Sequence, residues 1–277
     1  MLLGAFAALS LVAGTVVCVA VGAFETLTWL WLLPAVFLVC LLVLAGLGFG
    51  FLMILCKRVD QSVLQEDDDP LYRRVADLYI QSVLPVLRIH VKKQGVEQIP
   101  TDSRFLLVCN HCSLFDPIAL LCCLPEYQLA FVSKQENSTM FVIGPMMHRL
   151  LCQLINREND REALKTILRC IQIIKEDKAS IAVFPEGGIL SEDGKLHHFR
   201  PGVFKIAQKA NVPIVVCTLK DTLNVIPNLL RWKRSDVQMT VLGVIPPEEI
   251  KGVTTVDIAN RCYQMMAADL GPDLIAE

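Results

Sequence analysis

The chain has 277 residues, 53% of them hydrophobic, with 26 Lys and Arg set against 28 Asp and Glu. Its mean hydropathy of +0.49 exceeds that of an ordinary water-soluble domain, and its near-neutral charge offers no electrostatic footprint for nucleic acid. The apolar excess lies at one end, since residues 1–56 contain a single formally charged side chain, Glu25.

Two apolar runs, Leu2 to Phe24 and Trp29 to Cys56, flank a polar break at Glu25-Thr26-Leu27-Thr28. Each exceeds the roughly 20 residues that cross a bilayer as a helix, so residues 1–56 read as a transmembrane or membrane-embedded helical hairpin. A cleaved signal peptide is the alternative for the first run, although it has no basic n-region and is long for an h-region. Lys57, Arg58, Arg73 and Arg74 follow the second run, and the positive-inside rule puts what comes after in the cytoplasm. Small residues at Gly14, Cys18 and Gly22, and at Gly46, Gly48 and Gly50, would let two helix backbones approach closely.

Residues 57–69, with the acidic run Glu66-Asp67-Asp68-Asp69, read as a solvated linker to a domain at 70–277. Leu71, Val75, Leu78, Tyr79, Val83, Leu84 and Leu87 recur at helical spacing. Strand-like runs follow at 88–91, 105–109, 128–132, 151–156, 180–183, 213–219 and 237–245. Between the fourth and fifth, Leu164, Ile167, Leu168, Ile171 and Ile174 make one face of a helix over 160–175, with Asn159 as N-cap and Glu162 three residues on. A last helix spans about 256–270 and stops at Gly271-Pro272. Apolar strands alternating with helices predict an α/β fold: a mostly buried central sheet of about seven strands flanked by helices.

The cysteines number eleven, three of them inside the apolar runs. A reducing cytoplasm argues against disulfides. Cys109-Asn110-His111-Cys112 contains a C-x-x-C, with Cys122 and Cys123 beyond, but these also fit as small apolar residues, and a metal on His111 would compete with its use as a base; no metal site is expected. His197-His198 reads as loop. GxSxG, Walker A and dinucleotide fingerprints are absent, which argues against a nucleophile-elbow hydrolase, a nucleotidase and a dehydrogenase.

Chemistry concentrates at two strand ends, where α/β sheets carry reactive groups. After the second strand come Asn110-His111-Cys112-Ser113-Leu114-Phe115-Asp116; an imidazole with a carboxylate five residues on suits proton abstraction from a hydroxyl at neutral pH. Asp116 also reads as a helix N-cap before Pro117. After the fifth strand come Phe184-Pro185-Glu186-Gly187, then Gly194, Phe199, Arg200, Gly202 and Val212-Pro213-Ile214-Val215.

Taken in order, these blocks resemble the glycerolipid acyltransferase family typified by 1-acyl-sn-glycerol-3-phosphate acyltransferase. Asn110, His111 and Asp116 match NHxxxxD, and residues 184–187 match FPEG. The second block, Leu151 to Arg157, keeps Ile155 and Arg157 but has Leu151 and Leu154 where glycine and phenylalanine are usual. Phe131-Val132-Ser133-Lys134 is similar to the family's lysine-bearing strand end. After FPEG this chain reads Gly188-Ile189-Leu190, without the family's arginine.

The resemblance implies transfer of a fatty acyl group from acyl-CoA or acyl carrier protein to the free hydroxyl of lysophosphatidic acid, giving phosphatidic acid, in a ternary complex and without a cofactor. The alternatives are another lysophospholipid or a lipid amine or alcohol as acceptor, or a membrane-anchored lipid-binding protein without catalysis. His111 would be the base, with Asp116 orienting it. Asn110, Lys134, Arg157, Phe184, Pro185, Glu186, Gly187 and Arg200 would bind substrate, the carboxylate of Glu186 holding a glycerol hydroxyl or orienting the loop. An imidazole's ordinary pKa near 6.5 leaves it mostly neutral, as a base must be. Cys112 and Ser113 are alternative nucleophiles. The expected partners are a membrane lipid acceptor, the thioester donor and the bilayer itself, with no nucleic acid.

Overall fold

The computed structural model describes residues 2–156, 158–189 and 193–276. Two long apolar helices, α1 (Leu2–Ala20) and α2 (Trp29–Lys57), are joined by a short turn and pack side by side. Both are long and apolar enough to cross a membrane, and little of either is buried within the protein. The seam between them is narrow because Ser10, Gly14 and Cys18 are the buried residues of α1. A Cβ on Gly14 would stand 3.0 Å from the Leu33 side chain. Gly22 does not extend that seam: it adopts a left-handed conformation beyond the end of α1. Gly46 and Gly50 face open space, and of the second run's glycines only Gly48 makes a close approach, to Phe6 and Tyr79.

The acidic segment before the next helix is not the solvated run its composition predicts. Asp68 makes a nearly buried bidentate pair with Arg73, whose guanidinium also donates to the Leu129 carbonyl. Asp69 caps α3 (Pro70–Val86) by accepting from the Leu71 and Tyr72 N–H groups, and Asp67 pairs with Lys178. These carboxylates fasten the segment to the domain.

The strands β1 (Ile89–Gln94), β2 (Leu106–Cys109), β3 (Leu129–Lys134), β4 (Gln153–Ile155), β5 (Ser180–Val183), β6 (Ile214–Lys220) and β7 (Ser235–Ile245) form one sheet in the order β1-β7-β6-β2-β5-β3-β4. All pairings are parallel except β6 with β7. The central strands β2 and β5 are buried at every residue, the pattern of a sheet covered on both faces.

One face packs against α6 (Asp160–Lys175), α7 (Lys205–Ala210) and α10 (Thr255–Leu270). The other packs against α3 and α4 (Asp116–Cys123). Asn159 caps α6 as its position predicts, although Glu162 bonds Asn156 instead of closing back on the cap. Shorter helices are α5 (Ile143–Arg149), α8 (Val225–Leu230) and α9 (Pro247–Ile250).

Past α5 the chain reverses with Leu151 at φ 57, while Leu151 N–H bonds His148 O and Cys152 N–H bonds Met147 O. This is a helix-ending motif whose left-handed residue is usually glycine. Leu151 stands where the family pattern has glycine; its side chain is buried in the core, which offsets the cost of that backbone.

Candidate active site

Because β2, β3, β5 and β6 run in one direction, their carboxyl ends meet along one edge of the sheet. His111 leaves the end of β2. Its Nδ1 lies 2.8 Å from Asp116 Oδ2, and that same oxygen accepts the N–H groups of Cys112 at 2.7 Å and Ser113 at 2.8 Å. A carboxylate oxygen only accepts, so Nδ1 is the donor and Nε2 is left as the basic lone pair. Asp116 is fully buried; it is the first residue of α4 and turns its carboxylate back onto the preceding loop instead of capping the helix. His111 keeps 15% of its side-chain surface exposed, enough to meet a substrate atom.

Two further groups fix the imidazole. The ring of Phe184 stacks on it, with centroids 4.1 Å apart and planes at 17°, and Phe131 stands beyond Phe184 at 6.2 Å. Glu186, only 2% exposed, uses one carboxylate oxygen for the His111 N–H at 2.7 Å and the other for the His197 N–H at 2.9 Å. It therefore ties the loops after β2 and β5 together, which is the loop-orienting half of the expectation for this residue. Burial pushes its pKa up to about 7, the two N–H bonds pull it down, and the charge of Asp116 adds to the rise.

Asn110 turns into the sheet: its amide donates to Leu219 O at 2.9 Å and accepts from Leu219 N–H at 2.7 Å, prolonging the β2–β6 ladder by one side chain. Cys112 is a poor nucleophile, because burial and the carboxylates of Asp116 and Glu186 push its thiol up to about 12. The Ser113 hydroxyl accepts the Phe115 N–H within its own turn. Among the described residues no three His, Cys, Asp or Glu side chains are grouped to hold a metal ion.

His111 opens onto a cleft of about 450 Å³. Its walls are apolar and come from α2 (Leu52), α3 (Val75, Tyr79), α4 (Ile118, Leu121) and α5 (Met146), while exposed Lys134 stands on the same cleft at the end of β3. On the other side of Phe184 lies a second hollow of about 360 Å³ that holds Pro185, Gly187, Arg200 and Lys205. Gly187 has φ +85, and a Cβ there would come within 2.8 Å of Arg200 Nε, so only glycine lets the guanidinium lie over this turn. Arg157 lies outside the described residues.

The stacking of Phe184 on His111 with Phe131 beyond it, the Glu186 bond to the His197 N–H and the share that α2 takes in the cleft join residues remote in sequence and are not legible in it. Phe184 carried a signal in its place between a buried strand and Pro185, but the stacking partner is 73 residues away.

Residues 90–220 match the model of a family described as Acyltransferase. The chloroplastic 1-acyl-sn-glycerol-3-phosphate acyltransferase of Brassica napus is 32% identical over 196 residues, 68% of this chain and 54% of that one. The 1-acyl-sn-glycerol-3-phosphate acyltransferase of Bacillus subtilis (strain 168) is 31% identical over 133 residues, 48% of this chain and 64% of that one. In fold, the chain is similar to the crystal structure of the 1-acyl-sn-glycerophosphate acyltransferase PlsC from Thermotoga maritima, with a TM-score of 0.59, 22% identity, and 80% of this chain and 87% of that one covered. This chain belongs to the PlsC-like glycerolipid acyltransferase family. It spans 54% and 51% of the length of the Brassica napus and Arabidopsis thaliana relatives it matches.

Proposed function

We propose that the protein is a membrane-bound O-acyltransferase that moves a fatty acyl group from acyl-CoA or acyl carrier protein to the free hydroxyl of lysophosphatidic acid, giving phosphatidic acid. The observation that carries this reading is the His111–Asp116 pair opening onto an apolar cleft walled in part by α2. A base beside a long apolar volume suits a hydroxyl and an acyl chain brought together, and the relatives' names supply the acceptor.

In this mechanism His111 Nε2 takes the hydroxyl proton as the oxygen attacks the thioester carbonyl carbon. Asp116 holds the tautomer and stabilises the imidazolium that forms. The carbon–sulfur bond breaks, and the imidazolium returns the proton to the departing thiolate. Such a base is typically worth about 10²- to 10⁴-fold. No acyl-enzyme is needed, in keeping with the raised thiol of Cys112. Lys134 shares the cleft with His111 and is our choice for the acceptor's phosphate; Arg200, in the hollow across Phe184, and Arg157 are the further cations we assign to anionic substrate groups, the arginine usual after Gly187 being absent.

We assign α1 and α2 to the bilayer and the sheet to its cytoplasmic side, from the cations Lys57 and Arg58 that follow α2. Leu114, Met140 and Ile143 are exposed around the cleft, as suits a mouth that opens toward lipid. An acceptor drawn from the bilayer there avoids the cost of about 0.8 kcal/mol for each methylene exposed to water.

The test is product identification: purified protein with labelled acyl thioesters and a panel of lysolipids. Phosphatidic acid formed fastest from lysophosphatidic acid is the expected result. Preference for another acceptor would move the substrate assignment while leaving the chemistry, and no transfer to any acceptor would overturn the reading.

A further inference from the structure

The sheet edge that carries His111 continues past β6 into a surface that the acyl-transfer reading leaves unused. Helix α8 follows the carboxyl end of β6, and β7 and β1 both begin on that edge, Ser235 beside Ile89 and Gln238 beside Lys220. The end of α8 and the chain on to β7 read Leu229-Leu230-Arg231-Trp232-Lys233-Arg234. Leu230 is 84% exposed and Trp232 61%. The exposed end of α3, with Val83 and Val86, lies beside them, joined through Arg88, whose side chain donates to Trp232 O and whose carbonyl accepts the Ser235 N–H.

Trp232 adopts φ 52. Its N–H bonds Leu229 O and the next N–H, of Lys233, bonds Asn228 O, so it occupies the glycine place of a helix-ending motif. A bulky residue there costs about 1–2 kcal/mol in backbone strain. Leu151 adopts the same conformation with its side chain in the core. Trp232 has no such offset within the protein, and strain kept at an exposed aromatic points to something outside it.

The unpaired charges next to this tryptophan in the chain, and Arg88 bonded to its carbonyl, are basic. Among the described residues Arg88, Arg231 and Lys233 are in no ion pair, whereas Arg234 is held by Asp236. An indole flanked by free cations, with leucine and valine beside it, fits the interface of an anionic bilayer, where aromatic rings sit at headgroup level and cations meet lipid phosphates. Its location agrees: the first N–H of α1 bonds Ser82 on α3, a turn and a half before Arg88, so the patch lies next to the end of the membrane hairpin.

We propose that Leu230, Trp232 and Val86, with Arg88, Arg231 and Lys233, form a second membrane contact that docks on anionic phospholipid headgroups and holds the His111 edge against the bilayer. The proposal rests on the reading of α1 and α2 as membrane helices.

The chain's three tryptophans are Trp29, Trp31 and Trp232, so Trp29→Phe/Trp31→Phe leaves Trp232 as the only indole. That full-length protein is reconstituted in vesicles of brominated phosphatidylcholine alone or with about a third phosphatidylglycerol, the anionic component that the cations would read. The expected result is strong quenching of Trp232 in anionic vesicles, several-fold weaker quenching in neutral ones, and relief by ~1 M salt, where the Debye length is about 3 Å. Since each cation near an anionic surface is worth about five-fold in association, Arg231→Ala/Lys233→Ala lowers the ratio of docked to undocked protein on the order of 25-fold. Equal quenching in both compositions, or none in either while the protein still floats with the vesicles, overturns the proposal. Failure to float overturns the membrane reading itself, and undiminished acyl transfer with an unquenched Trp232 separates the loss of this contact from the loss of the enzymatic reading.

Discussion

At the scale of single residues, the site depends on carboxylates that bond backbone as well as side chain. Asp116 gathers three donors on one oxygen, and Glu186 divides its two oxygens between two loops. His111→Ala removes the proposed base and is expected to lower kcat about 10²- to 10⁴-fold with KM within a few-fold, checked by steady-state kinetics on folded, reconstituted protein. Glu186→Gln places an amide NH₂ against one of two backbone N–H groups, and losing that bond costs about 1–3 kcal/mol. Glu186 also titrates. Its carboxyl moves from an ordinary 4.5 to about 7 in the folded protein, so between those values the folded chain binds more protons there than the unfolded one. The favourable contribution is therefore complete below about pH 4.5 and is lost as pH rises through about 7, by an amount of order 3 kcal/mol. Thermal unfolding of wild type and Glu186→Gln across pH 4–8 should show the variant gaining on wild type as pH rises. A pH-independent difference would mean that burial does not raise this carboxyl.

Among elements, those with a strong local pattern were legible and those joined at a distance were not. The seven apolar runs became the seven strands, and the α6 helix with its Asn159 cap lies where the periodicity put it, because strand burial and helix amphipathicity are written in neighbouring residues. Sheet order was not legible, since β7 turns antiparallel to β6 and β1 pairs at the far edge through contacts more than 140 residues apart. The acidic run looked solvated because its partners Arg149 and Lys178 are remote in sequence, and even nearby Arg73 finds Asp68 only once α3 is docked. Within the site, the pairing of His111 with Asp116 was legible from their spacing and the family resemblance, while the backbone N–H groups that Asp116 and Glu186 bind were not. One turn gives an element-scale test. Gly187→Ala forces a Cβ into left-handed backbone and against Arg200, so we expect a loss of about 1–3 kcal/mol in stability together with a raised KM for the proposed anionic acceptor. A KM change without a stability change would put Arg200 on the substrate and leave the turn unstrained.

For the whole molecule, the cleft beside His111 takes part of its wall, Leu52, from the hairpin where α2 docks on the domain. Leu52 of α2 clusters with Val75 and Tyr79 of α3 and Met146 of α5 on the cleft wall. The docking is held by a buried cluster of Leu52, Cys56, Tyr72, Val75 and Met146 and by two tyrosine hydroxyls, Tyr72 donating to Leu55 O and Tyr79 to Gly48 O, and a Cβ on Gly48 would already touch Phe6 and the Tyr79 oxygen at 3.4 Å. A larger side chain at Gly48 therefore lifts α2 away from α3 without touching His111 or its partners. If the cleft holds the acyl chain, Gly48→Leu should weaken binding of long-chain thioesters while leaving the turnover of short-chain ones nearly unchanged. Exposing about two methylenes of the chain costs about 1.6 kcal/mol, or roughly 15-fold in KM. The measurement is a chain-length series of donors on both proteins, and the expected outcome is a flattened profile with kcat for the shortest donor preserved. A profile that keeps its shape while kcat falls for every donor would instead mean that the hairpin positions the site and takes no part in the acyl wall.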